Sequence, residues 1–360
     1  MPRAPWTRPA ILCALAAGGG PLALYLLTLS PTVNGGDSGE FITVAWVLGV
    51  AHPSGYPLHT LLAKPMTWLP LGGVAWRVGL LSALCDAGAA VLLFRVVVLL
   101  GGDLAAGLLA AGAFAFAPLI WPYAITAEVF ALNNLFAAGL LYWSARALRE
   151  AAAGPAASLR TLYLAALWMG LGLSNHHTLV FYAVPFALLL TALAGRRLRR
   201  ARTAATLAGC AAAGFLPYLY LPLAGLRPAA VTWGDPANLS GFLTHFFRRE
   251  YGTFRLADET VGTAREAEAV GRGDQVGGKG RAARLPAAQA MAVHAAERLA
   301  LHHVSDRAAE AAPARPTAVG IASRRIRQHR GVDARRKRIE ARKLTAHLEP
   351  RRPRGDEDVR

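Results

Sequence analysis

Residues 77–100 read RVGLLSALCDAGAAVLLFRVVVLL, and this run decides the architecture. About 24 residues rising 1.5 Å each make a helix of about 36 Å, longer than the ~30 Å hydrocarbon core of a bilayer. Its one carboxylate, Asp86, falls near the middle, where insertion costs about 2.5–3.5 kcal/mol. Such a group must face a bundle interior or a water cavity, so this helix needs neighbours. Further apolar runs at Ala10–Leu29, Leu104–Trp121, Asn134–Ala147, Leu162–Leu173, Leu179–Ala194 and Thr203–Pro222 supply them. The expectation is an all-α membrane protein, a bundle of about seven spans with a long outer first loop. A signal peptide is the alternative for the first run, but its apolar part is long and lacks a usual small-residue cleavage site.

The 360-residue chain is 54% hydrophobic and 17% charged. It is the apolar runs approaching or exceeding 18 residues, not these averages, that exclude a soluble enzyme for residues 1–260. The three cysteines, Cys13, Cys85 and Cys210, all lie in apolar runs, which excludes a disulfide-stapled secreted domain. Of 39 basic and 22 acidic residues, 22 and 12 fall in residues 261–360, so the tail carries +10 of the +17 net charge.

Short cytoplasmic loops concentrate Lys and Arg. Placing Arg3 and Arg8 inside also puts Arg146, Arg149, Arg160 and the Arg196–Arg202 cluster inside. The outward segments are then 30–76, 122–133, 174–178 and 223 onward. Nearly all the chemically interesting residues share that face, an agreement not built into the assignment.

The first outward segment is much longer than a turn requires, which marks a functional loop. Asp37 and Glu40 lie three apart beside Gly35, Gly36 and Gly39. If a helix begins near Ser38, Asp37 occupies its N-cap and Glu40 its first turn. The plain alternative is that Asp37 only caps an amphipathic helix whose apolar face is Phe41, Ile42, Val44, Ala45 and Leu48. Two acids so spaced serve either as base and orienter or as weak metal ligands. His52, Pro53, Gly55, Tyr56 and Pro57 follow, and the prolines impose an irregular, rigid corner.

Glu128 sits at the mouth of a span, where a carboxylate needs water or a partner; Asn133 lies further along the same segment. Asn175, His176 and His177 form a polar knot between apolar spans. Adjacent histidines point apart on a helix, so a two-histidine metal site is not expected; an interfacial pair without ligand is the plain alternative. The last outward segment brings Trp233, Asp235, His245, Arg248, Arg249 and Tyr251. Arginines there oppose the inward charge bias, and an anionic headgroup would explain them. A basic amphipathic helix lying on lipid is the competing reading. There is no GxxxxGK[ST], HExxH, CxxC or post-strand GxGxxG motif, so nucleotide hydrolysis, zinc proteolysis and dinucleotide redox chemistry have no support.

TVNGGDSGEFITVAWVLGVAHPSGYPLHTLLAK, ITAEVFALNN, GLGLSNHHT, YLYLPL and WGDP with FFRREYG, in this order over about residues 10–255, resemble a family long known only as a domain of unknown function. It includes the eukaryotic multi-pass O-mannosyltransferase that acts on plexin-type receptor domains, and is placed in the GT-C superfamily of integral-membrane glycosyltransferases. The resemblance implies a helical bundle with its active site on the non-cytoplasmic face, moving mannose or a similar hexose from a polyprenyl-phosphate donor to a protein or glycan hydroxyl, with inversion. It implies Asp37 as general base, with Glu40 the second acidic position. His52, Tyr56, Glu128, Asn133, Asn175, His176, His177, Trp233, Asp235, Arg248 and Arg249 are the candidates for holding donor and acceptor. No metal or other cofactor is expected, a divalent ion being conceivable but unsupported, and no nucleic acid partner. The expected location is a bacterial plasma membrane with the site facing outward. A transporter with an acidic and histidine ion path is the rival, weakened because the polar residues crowd one face; an inactive truncated homologue is the other.

Relatives in that family generally continue with further spans. Residues 256–360 instead are Arg-, Ala-, Gly- and Pro-rich without apolar periodicity, with at most a helix near Ala287–Leu301. Either this is a genuine basic tail, or the reading frame slips near Thr260 and residues 1–255 are a truncated transferase-like domain. The coincidence of lost pattern and changed composition favours the slip.

Overall fold

A computed structural model describes residues 7–154, 157–227 and 230–249. The basic tail, its expected helix and Tyr251 lie outside the described residues. These residues form twelve α-helices and no strand, with one isolated parallel bridge between Val50 and Thr232.

Helix α1 (Arg8–Thr28) starts where Thr7 accepts the Ala10 amide, with a proline in its first turn. Helices α2 (Ser38–Val47) and α3 (Pro57–Met66) occupy the expected first outer loop. Helix α4 (Val74–Leu99) is the central post, packed on α1 and on α5 (Leu104–Ala115), α6 (Trp121–Ala124) and α7 (Val129–Ala153). Helices α8 (Leu159–Leu173), α9 (Val180–Ala194), α10 (Ala201–Gly214), α11 (Tyr220–Gly225) and α12 (Leu239–Phe246) complete it.

All seven apolar runs are helical, so the expected all-α bundle holds. They are not all full spans. Among the described residues, three stretches are long and apolar enough to cross a membrane: Arg8–Thr28, Val74–Leu99 and His177–Arg199. A fourth is possible if α10 and Leu216–Gly225, bent by 46°, count as one. At 1.5 Å per residue, α5 and α8 reach only about 18 and 22 Å. Leu27, Leu109, Leu119 and Phe181 are at least two-thirds exposed, as expected of side chains whose solvent is lipid.

Little hydrophobic force acts between helices in lipid, so close packing and hydrogen bonds hold them together. Gly170 of α8 faces α10 directly. A Cβ there would collide with the Ala211 carbonyl oxygen, and one on Gly214 would collide with the Gly170 backbone. Inside the bundle, Asp86 is fully buried and accepts from Asn134 Nδ2 of α7 at 3.0 Å. The structure thus gives Asp86 a helix-joining partner, in line with a residue facing the bundle interior.

The loops sort to two ends. At one, Arg149 Nη1 donates to Leu99 O, Arg197 Nη1 to Ala157 O, and Glu150 accepts from Arg146 Nε, the Ser158 amide and Thr161 Oγ1. At the other, Ser30 N donates to Ile125 O, Leu58 N to Ser174 O, Asn175 Nδ2 to Val129 O and Val50 N to Val231 O. The four segments assigned outward therefore interlock with one another.

Candidate active site

Helix α2 sets the first two side chains. Phe41, Val44 and Ala45 bury its apolar face as expected, while Leu48 stops the helix in the left-handed region at φ 54°. Asp37 occupies the N-cap position, yet its side chain makes no capping bond. The reason is backbone geometry: N-caps normally sit in the β region, whereas Asp37 has ψ near 2°. Its carboxylate is left 58% exposed.

One turn on, Glu40 points back across the loop that follows. Its Oε1 accepts the His52 amide at 2.6 Å, and its Oε2 lies 3.0 Å from His52 Nδ1. His52 Nε2 is 3.0 Å from Tyr56 Oη and 3.9 Å from Asp37 Oδ2. The loop and the first turn of α3 are buried from Gly49 to Thr60 except for half-buried His52. Buried irregular backbone must find partners, and it does: Val50 pairs with Val231 and Trp233, and the Gly55 amide donates to His52 O. Gly55, at φ +90°, has Leu221 and His245 where a Cβ would go. Tyr56 holds φ 43° and packs its ring edge-on to Phe41. Non-glycine residues of positive φ, each costing about 1–3 kcal/mol, are Leu48, Tyr56 and Arg248 among the described residues, all in the outer loops. Burial, above all, lifts the Tyr56 hydroxyl beyond the usual phenol range.

Glu128 precedes α7 and is 7% exposed. Ser82 Oγ of α4 bonds both its amide and its carbonyl. Burial raises the carboxyl to about 7, with the Asp37 charge adding to the effect and the Asp37 amide, His52 and the Val129 amide opposing it. Oε1 would lie 3.5 Å from a Cβ on Gly36, so Glu128 abuts the turn that carries Asp37.

The SNHHT knot divides. His176 Nδ1 accepts from the Thr178 amide, which leaves the neutral ring's hydrogen on Nε2. Its ring lies between Tyr56 and Phe130, and burial, then the charges of His177, Arg248 and His52, hold it near 4. His177 turns elsewhere, with Nε2 2.7 Å from Tyr218 Oη and its ring against Phe246. Asn175 is spent tying this loop to α7. Asn133 is half-buried, and its Oδ1 has no hydrogen-bond partner among the described residues.

In the last segment, the Trp233 ring stands 6.4 Å from His52. Asp235 accepts from Asn238 Nδ2, which in turn caps α12; it shapes that helix's entry. Arg248 is half-buried and its charge reaches Tyr56 and His176. Arg249 is exposed, its guanidinium 5.7 Å from the Phe247 ring. The residues brought together are thus Asp37, Glu40, His52, Tyr56, Glu128, His176, Trp233 and Arg248. Sequence reading did not single out Ser82, Thr178 or Tyr218, nor buried His59 against Phe41. Asp37, Glu40 and His52 each offer one ligand atom within 4.8 Å of the others, but both Glu40 oxygens already serve His52.

Fold and site define an integral-membrane helical bundle whose loops at one end gather one polar cluster. Residues 37–199 match the family profile of the protein O-mannosyl-transferase TMEM260 N-terminal domain. The chain is 46% identical over 265 residues to protein O-mannosyl-transferase TMEM260 of Mus musculus, covering 72% of this chain and 37% of that protein. It is 38% identical over 245 residues to the Dictyostelium discoideum protein of the same name, covering 65% and 30%. No solved structure matches. The chain belongs to this O-mannosyltransferase-like family and spans roughly a third of these relatives' length. Both relatives are eukaryotic, so the expected bacterial membrane draws no support from them.

Proposed function

We propose that this chain is a GT-C-type glycosyltransferase that moves mannose or a similar hexose from a polyprenyl-phosphate carrier to a protein or glycan hydroxyl, on the non-cytoplasmic face and with inversion. The relatives' names support the transfer; the lipid carrier and the orientation rest on the membrane bundle and its arginine-rich opposite end.

The observation that carries the reading is Asp37: a carboxylate released from its capping duty, open to solvent, beside the buried acid Glu128. A sugar phosphate brings a good leaving group, so the reaction needs one base for the acceptor hydroxyl and no strong acid. Asp37 takes that proton as the hydroxyl oxygen attacks the anomeric carbon from the face opposite the phosphate. The electron pair of the breaking carbon–oxygen bond leaves with the lipid phosphate. Arg248 and the Nε2–H of neutral His176 are donors suited to the growing charge. A well-placed base contributes about 10²–10⁴ in rate, so no metal is invoked.

The test is Asp37→Asn in membranes supplied with labelled polyprenyl-phosphate mannose and acceptor. Insertion should be normal and transfer abolished; turnover equal to wild type refutes the assignment.

A further inference from the structure

We propose that Glu40 and His52 form a proton relay behind Asp37: Glu40 is a positioning residue that fixes the His52 tautomer, and His52 Nε2 receives the proton that Asp37 takes from the acceptor. This rests on the reading of Asp37 as base.

An ionised carboxylate only accepts hydrogen bonds. Glu40 Oε2 lies 3.0 Å from His52 Nδ1, so Nδ1 carries the ring hydrogen and Nε2 keeps its lone pair. The second bond, from the His52 amide to Oε1 at 2.6 Å, fixes backbone and ring with one side chain. Nε2 therefore accepts from Tyr56 Oη at 3.0 Å. It also stands 3.9 Å from Asp37 Oδ2, a gap that rotation of the exposed Asp37 carboxyl can close.

In the reaction, one proton leaves the acceptor hydroxyl for Asp37. It then passes to Nε2 as Tyr56 turns its own hydrogen away, so that the imidazolium Nε2–H can donate to Tyr56 Oη, and from imidazolium to water after the lipid phosphate departs. Asp37 is left ionised for the next acceptor. The surroundings suit a transient positive charge. Glu40 and Asp37 from α2 and Glu128 at the head of α7 favour it. His176 between α8 and α9 and His245 on α12 are held near 4 by burial and stay neutral around pH 7. The opposing charge is Arg248, which acts on neighbouring Tyr56 and His176, and Trp233 contributes an uncharged ring.

The full chain, with ¹⁵N-labelled histidine and in lipid nanodiscs, tests the tautomer without any need for turnover. The signal lost in His52→Asn identifies the residue. Expected is an Nδ1–H ring in wild type that shifts to the Nε2–H form in Glu40→Gln, whose amide can donate to Nδ1. A wild-type Nε2–H ring overturns the proposal. In transfer assays with polyprenyl-phosphate mannose, Glu40→Gln should lower kcat by ~10²-fold, displace the acidic limb of the pH profile and leave donor KM unchanged. Glu40→Asp should recover part of kcat. An unaltered kcat and pH profile in Glu40→Gln, with Asp37→Asn inactive, sinks the relay and spares the base. Full activity in Asp37→Asn removes both. Loss of transfer on chelation, restored by Mn²⁺, would put a cation between Nε2 and Asp37 and also overturns it.

Discussion

Glu128→Gln isolates the electrostatics of the cluster from its catalysis. Burial, reinforced by Asp37, lifts this carboxyl from 4.5 to about 7. A carboxyl raised on folding is neutral in both states below pH 4.5. Between 4.5 and 7 only the unfolded chain ionises, so stability falls as pH rises through this window, then levels off. At about 1.4 kcal/mol per unit, the rise from 4.5 to about 7 costs at most about 3.5 kcal/mol above pH 7. Solvent reaching the cluster past Asp37 reduces that ceiling. Glutamine abolishes the ionisation but keeps one acceptor oxygen for the Asp37 or Val129 amide, forfeiting about 1 kcal/mol for the other. A net gain of about 1–2 kcal/mol at pH 8 should remain, worth roughly 2–8 °C in a domain of this size. Thermal unfolding in detergent, followed by tryptophan fluorescence at pH 5 and pH 8, measures it. The variant should be no better than wild type at pH 5 and better at pH 8. Parallel pH profiles for the two proteins would refute the argument that the buried acid titrates near neutrality.

Other substitutions separate roles that the sequence left joined. Arg248→Ala should reduce transfer by about 10²-fold if its charge stabilises the departing phosphate, while exposed Arg249→Ala should stay within about threefold; equal losses would show that the two act together. Asp86→Asn keeps an acceptor for Asn134 and should retain transfer within a few-fold, and a fall comparable to that of Asp37→Asn would move the chemistry into the bundle. Gly170→Ala places a methyl against the Ala211 carbonyl, and should destabilise by about 1–3 kcal/mol as read by thermal unfolding, with an unchanged midpoint contradicting the close α8–α10 approach.

The helices were legible because apolar run length is a local property, and so was the gathering of the outer loops, because arginine placement orients each span independently. What escaped depends on pairs distant in sequence. Nothing local in NNLF marks Asn134 as the partner of Asp86, 48 residues away, nor does SNHHT reveal that His177 faces Tyr218, 41 residues away. Asp37 was correctly placed at the head of α2, but the dihedral angle that frees its side chain from capping has no signature in GGDSGE. Asp235 and Arg249 share the site's segment in the sequence, yet in the structure the one serves Asn238 and the other lies over Phe247. Short α5 shows the same limit, since the apolar run Leu104–Trp121 extends past the residues that keep helical geometry.

The buried stretch 49–60 explains why so few charges suffice. A loop lying on the surface would need several charged contacts to hold a histidine in one orientation. Here the loop is pressed under α11 and α12, with Gly55 against Leu221 and His245 and the Val50–Trp233 pairing clamping its start. Once the backbone cannot move, a single carboxylate, Glu40, is enough to fix both the position and the hydrogen of His52. Asp37, on the same helix but outside the packed region, keeps the freedom a base requires. Rigidity and mobility are therefore divided between two acids one helical turn apart, and the division follows from burial: Glu40 has 19% of its side chain exposed, Asp37 58%.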